Sequence, residues 1–117
     1  MTIVKGAEGL NPPAALLQAI GKLREEATKA GAFVEMGGLL PSTTGARVRL
    51  ADGKMTVTDG PFSEAKEVIG GYAIYNVRSK EEALEWTRRF MNLHKQHWPD
   101  FEGETELRQM REFGPPA

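Results

Sequence analysis

A turn signal, a helix breaker, an aromatic ring and four ionisable side chains fall within nine consecutive residues, Asp59-Gly60-Pro61-Phe62-Ser63-Glu64-Ala65-Lys66-Glu67. Pro61 removes a backbone donor and stops any helix, so the stretch reads as a corner between elements. The flanking runs, Met55–Thr58 and Gly71–Val77, are β-branched and aromatic and read as strands. A simple connector needs only turn residues. One that also carries a ring and paired opposite charges is a place to look for function.

Elements on either side arrange themselves around that corner. Thr2–Lys5 reads as a short β-branched strand. Asn11-Pro12-Pro13 reads as a helix start with Asn11 at the N-cap, and Leu16, Leu17, Ile20, Leu23 and Ala27 then form one apolar stripe. Gly31 ends that helix. Phe33–Met36 reads as a strand closing on Gly37-Gly38, and Ser42–Gly45 as a polar turn. Ala46–Leu50 and Lys54–Thr58 alternate in polarity around Asp52-Gly53, which predicts a hairpin with Arg47 and Arg49 on one face. After the central corner comes the Gly71–Val77 strand. Ser79 with Glu82 three residues later reads as a capping box opening a helix whose apolar arc holds Ala83, Leu84, Trp86, Thr87, Phe90 and Met91. Asn92–Gly103 reads as a loop carrying both histidines, and Glu104–Phe113 as a last strand.

The predicted fold is thus α+β: one domain over residues 1–117, a ferredoxin-like βαββαβ unit with an inserted β-hairpin. Two helices cover one face of such a sheet. Phe33, Tyr72, Ile74 and their alternate partners cannot all be accommodated under two helices, so the other face requires a cover, and a second copy of the chain is the simplest one. A homodimer is therefore expected.

Totals exclude several function classes. A formal charge of −1, from 15 basic and 16 acidic side chains, gives no pull toward nucleic acid or an anionic membrane. No apolar run approaches the roughly 18 residues of a membrane span, and Met1–Gly9 lacks the basic and then apolar pattern of a secretory signal. A cytoplasmic location is the default expectation. With no cysteine there is no thiol catalysis and no thiolate metal site. The sequence also contains no Gly-rich phosphate loop, nucleophile elbow or dinucleotide fingerprint, so no cofactor is expected.

Thr58–Glu67, followed by Val68-Ile69-Gly70-Gly71-Tyr72, closely resembles the hallmark of the YCII-related, DGPF-motif family. Gly45-Ala46-Arg47-Val48-Arg49 and Gly103–Gln109 resemble it too, and the likeness runs from about Leu16 to Met110. The resemblance implies a dimeric α/β barrel, a fold shared with muconolactone isomerase-like enzymes and small monooxygenases. Most members have no established activity. Some resemble enzymes that eliminate halide from muconolactones, and others occur beside sigma-factor genes. A histidine–aspartate pair is the catalytic proposal in the wider family. Here histidine occurs only at positions 94 and 97, away from the N-terminal helix where some relatives carry theirs.

The candidate residues follow from their chemistry. A carboxylate such as Asp59 in a cleft can move a proton alpha to a carbonyl; it can equally order the turn through backbone amides. His94 is its expected proton-transfer partner, since an imidazole titrates near neutrality. Arg47, Arg49 or Lys66 would hold a carboxylate, with Phe62 and Tyr72 as pocket walls. His94 and His97, three apart, can share one side of a helical turn as metal ligands with Asp100 or Glu102 as a third, but without an HExxH-type context the signal is weak and no metal is expected. The expected function is a small-molecule-binding homodimer whose ligand is a small organic anion, with cofactor-independent proton transfer or elimination as its chemistry. The alternative is a non-catalytic ligand sensor or regulatory module.

Overall fold

A computed structural model describes residues 1–7, 11–62 and 68–111. The elements in order are strand β1 (Thr2–Gly6), helix α1 (Ala14–Lys29), β2 (Phe33–Gly38), a 3₁₀ turn (Ser42–Thr44), β3 (Ala46–Ala51), β4 (Lys54–Asp59), β5 (Val68–Tyr75), α2 (Lys80–His97) and β6 (Gly103–Leu107). The main sheet has the order β2-β5-β1-β6, and every neighbouring pair is antiparallel. With β3 and β4 set aside, this is the ferredoxin-like arrangement expected from the element order. The hairpin β3–β4 forms a separate two-stranded sheet.

Several boundaries differ from the sequence reading, and strand β5 also ends at Tyr75 and not at Val77. Helix α1 begins at Ala14 with Pro13 in the cap position, not with Asn11 as N-cap. A residue before proline is steered out of the α region, so the helix cannot start until the second proline is passed. Strand β5 starts at Val68, three residues before Gly71. Helix α2 does not stop near Met91; it runs to His97, so both histidines are helical and not in a loop. Pro99 is the breaker, and Trp98 before it leaves the helix at φ −144°, ψ 67°. Strand β6 ends at Leu107, and Phe113, its expected end, lies outside the described residues.

Alternation along the strands sorts the two faces of the sheet. Thr2 and Met36 both stand opposite Ala73, and with Val4, Leu107 and Thr105 they share the helix side. Ile3, Gly37 and Tyr72 stand in one row on the other side, with Glu106. Under the helices the core gathers Leu23, Ala27, Ala32 and Trp86, with Phe33, Tyr75, Val77, Phe90 and Leu93 packed around them. Trp86 stacks on Tyr75 at 6.4 Å between centroids, and Phe33 meets Tyr75 edge-on. Glu26 and Arg89 form an ion pair linking α1 to α2, which holds the Glu26 carboxyl below its ordinary range. Ser79 caps α2 by accepting from the Glu82 amide at 3.1 Å, while the Glu82 carboxylate accepts from the Arg78 amide.

The hairpin turn is the one expected. Asp52 (φ 53°) and Gly53 (φ 74°) both occupy the left-handed region that a two-residue primed turn demands. The central corner then has a steric explanation. Gly60 donates its amide to the Gly45 carbonyl at 2.9 Å, and the Phe62 amide donates to Ser42 Oγ at 2.9 Å. The Gly60–Pro61 peptide is cis. A Cβ on Gly60 would lie 1.6 Å from the Ser42 carbonyl oxygen. Only glycine fits there, because the obstacle is backbone and cannot rotate away.

Gly60→Ala is therefore expected to destabilise the protein by about 2 kcal/mol or more, as backbone-strain substitutions do. Gly53→Ala, which meets only the left-handed penalty of roughly 1–2 kcal/mol, should cost less. Urea denaturation of the two variants beside wild type measures the difference, and equal midpoints would remove the steric account of the corner.

Candidate functional site

A cavity of about 1350 Å³ opens between the helix side of the sheet, the first half of α1, the second half of α2 and the base of the hairpin. Its walls are mainly apolar: Leu16, Ile20, Met36 and Phe90 are among them. Bounded by a sheet, two helices and a hairpin, it has the mixed apolar and polar lining of a small-molecule site.

One wall is built by α2. Thr87, Phe90 and His94 recur at helical spacing and face the cavity together. His94 is only 7% exposed. Its ring is enclosed by Phe90 at 4.7 Å, Phe101 at 4.8 Å and Trp98 at 6.4 Å between centroids. His94 Nδ1 lies 3.0 Å from the Phe90 carbonyl. A carbonyl can only accept, so Nδ1 carries the proton and neutral His94 presents a bare Nε2. Burial pushes the imidazole below its ordinary pKa, with the Phe90 hydrogen bond opposing more weakly. Near pH 7 the ring is thus a neutral proton acceptor. Tyr75, on the sheet wall, has its phenol pushed up by burial and stays protonated.

The hairpin supplies the opposite character. Arg47 on β3 lines the cavity, its guanidinium carbon 3.9 Å from the centre of the Phe62 ring. Phe62 lines it too, held by the amide bond to Ser42. A planar cation resting on a ring keeps its N–H donors at its edge, in the guanidinium plane.

Sequence-predicted residues divide accordingly. Arg47, Phe62, Tyr72 and His94 all line the one cavity. Tyr72 stands chiefly on the other side of the sheet, over Gly37, with its hydroxyl 3.4 Å from Glu35. Asp59 and Arg49 are exposed and are not among the described lining residues. Asp59 stands opposite Ala46 at the base of the hairpin. The expected Asp59–His94 pair thus shares no cavity wall. Lys66 lies outside the described residues, as do Glu64 and Glu67. Among the described residues no group of three or more His, Asp or Glu side chains could hold a metal ion.

Sequence reasoning passed over Thr2, Thr87 and Phe101, which share the cavity with His94. The signal for Thr87 was present: the stripe through Trp86, Thr87 and Phe90 continues to His94 if the helix is allowed to run to Pro99. Thr2 and Phe101 left none, since they arrive from the two ends of the chain.

A family model for the YCII-related domain matches residues 1–100. The chain belongs to the YCII-related family. Over 77 residues it is 30% identical to a protein of Rhizobium meliloti (strain 1021) named only as uncharacterized. That match covers 66% of this chain and 62% of the relative, so the chain spans less than two thirds of that protein. The family match extends over the whole of β1 to α2, including the cavity walls those elements build.

The lowered His94 pKa has a measurable sign. A buried neutral imidazole binds fewer protons than its unfolded counterpart, so its contribution is complete above the unfolded value, about 6.5, and is lost as pH falls through the folded one. Glu26 and Glu106, whose carboxyls are lowered by Arg89 and by Lys5 with Arg108, lose theirs only below the ordinary carboxylate range. Between about pH 6.5 and 4.5 the melting temperature should therefore fall for wild type and fall less for His94→Phe. Parallel curves for the two proteins by differential scanning calorimetry would contradict the assignment.

Proposed function

We propose that this YCII-related protein binds a small organic anion in the cavity between sheet, helices and hairpin. Arg47 receives the anionic group, and His94 serves as proton acceptor toward the opposite part of the ligand. The chemistry that suits these groups is cofactor-independent proton transfer or elimination on a carboxylated or lactone-like compound. The observation that carries the reading is the cavity itself: a largely apolar hollow whose described lining includes the Arg47 cation at the hairpin wall and the buried neutral His94 imidazole on the helix wall. Asp59, exposed on the hairpin, fits the turn-ordering role better than that of base. The alternative reading, a ligand sensor without turnover, draws on the same exposure: neutral His94 has Phe90, and not a carboxylate, as its hydrogen-bond partner.

The working unit in this proposal is a homodimer with the sheets' open faces brought together, as in a dimeric α/β barrel. Three features support it. Ile3, Tyr72 and Ile74 stand on the sheet face that carries no helix. Val48, Leu50, Met55 and Val57 form one apolar face of the hairpin, each 64–71% exposed. The radius of gyration, 16.5 Å, exceeds the roughly 13 Å of a compact domain of this length. A hairpin with so much apolar surface in water is marginal by itself.

A thermal-shift screen with small carboxylic acids tests the site. A ligand at 100 times its Kd adds about 2.7 kcal/mol to stability, several degrees for a chain of this size. Arg47→Met should weaken that ligand about tenfold, by removal of a charge-assisted bond. If no acid shifts wild type, or if Arg47→Met responds equally, the anion-site reading is lost. Sedimentation equilibrium should return twice the 12.9 kDa chain mass, and Ile74→Asp should return it once; a wild-type protomer at micromolar concentration would overturn the dimer.

A further inference from the structure

Tyr75 follows Ala73 by two positions on β5, so its ring stands on the helix side of the sheet. Trp86 stacks on that ring and Phe33 meets it edge-on, each at 6.4 Å between centroids. Neighbours on two sides hold the side chain in one rotamer, and its hydroxyl in one place. Among the described residues that hydroxyl has no hydrogen-bond partner, yet none of their buried side-chain oxygens or nitrogens is left unpaired. Both statements hold only if the oxygen touches open space, and Tyr75 belongs to the wall of the large cavity.

Other protons of the inner wall are committed or stand elsewhere. Thr2 donates to the Ala73 carbonyl at 3.3 Å, Thr87 to the Ala83 carbonyl at 2.8 Å and Thr105 to the Met91 sulfur at 3.1 Å. The Trp98 indole N–H is a second donor on the wall, but its ring lies beside His94. Trp86, which covers Tyr75, and His94 are roughly 12 Å apart along α2 at the usual rise per residue. Tyr75 is thus the uncommitted donor of its own end. Burial is what keeps its phenol protonated, with no charge among the described residues contributing. An anion brought there would exchange its hydration for one neutral hydrogen bond, at a net cost. A hydrocarbon would leave the proton unpaired. A neutral carbonyl oxygen accepts the proton and loses little water on the way.

We propose that Tyr75 is a specificity-determining residue of this cavity, its phenol donating to the neutral carbonyl oxygen, ketone or ester, of an otherwise apolar part of the ligand. This rests on the reading of the cavity as a small-molecule site and adds the group recognised at its sheet wall. It draws on no contact of the hairpin wall.

Acetophenone and 2-phenylpropene share one shape and differ only in carrying C=O or C=CH₂. NMR titration of ¹⁵N-labelled protein should show acetophenone bound roughly three- to tenfold more weakly by Tyr75→Phe than by wild type, the loss of one net hydrogen bond, and 2-phenylpropene bound alike by both. The infrared C=O stretch of bound ¹³C-labelled acetophenone should lie at lower wavenumber in wild type than in the variant. The melting temperature of unliganded Tyr75→Phe should not fall, since its ring still stacks on Trp86 and the hydroxyl has no partner to lose. Unchanged acetophenone binding, equal weakening of both probes, a single carbonyl frequency in the two proteins or a lowered melting temperature would each overturn the proposal. So would a wild type that binds neither probe. Neither probe is charged, so the carboxylic acid screen above decides the anion reading separately.

Discussion

The stacking of Trp86 on Tyr75 is the contact on which the rest of this molecule depends. It sets the start of α2 against the sheet, within the small cluster of Leu23, Ala27 and Ala32 that forms the buried core. The Glu26–Arg89 pair ties the helices at the same place. Arg89 also lies over the Trp86 ring, at 5.0 Å, so this contact joins the ion pair to the aromatic stack. Because the helices are secured through Leu23, Glu26 and Ala27 on α1 and Trp86 and Arg89 on α2, the first half of α1 and the last turns of α2 can stand over an apolar hollow without collapsing onto it. A core this concentrated leaves room for a cavity that a uniformly packed domain of this length would fill.

The groups proposed to act on a ligand sit where rigid elements end. His94 occupies the last turn of α2, gripped by Phe90 from its own helix and by Trp98 and Phe101 from the segment that follows. Arg47 occupies the base of a hairpin that is joined to the body through the Ser42–Gly45 turn and the Gly60 corner. Each half of the site is therefore anchored by a different device, aromatic enclosure on one side and backbone contact on the other. The corner reads in sequence as a cluster of functional side chains. In space its glycine is a steric necessity, and its proline and phenylalanine place a ring under Arg47.

Much of the fold was legible from periodicity. The strands, the Asp52-Gly53 turn, the capping box at Ser79 and Glu82 and the βαββαβ order all rest on interactions between residues close in sequence, and these the chain spells out directly. The misplaced boundaries were competitions between neighbours: two consecutive prolines against an asparagine cap, and a continuing apolar stripe against a polar-looking Asn92–His97 run. The site was legible in part. Arg47, Phe62, Tyr72 and His94 line one cavity, while Asp59 and Arg49, chosen on the same chemical grounds, are exposed on the hairpin and are not among its described lining residues.

What the amino-acid order determined by itself was the set of elements, their sequence along the chain and the family to which they belong, since local periodicity, turn chemistry and a long motif are all one-dimensional. Tertiary structure alone decided which side chains meet. That Thr2 from the first strand, Thr87 and His94 from the second helix, and Thr105 from the last strand line one hollow, each held by a hydrogen bond to the surrounding protein, depends on the folded chain. Those bonds exist only after residues as distant as Thr2 and Ala73 have been paired across the sheet, and no local pattern records that pairing.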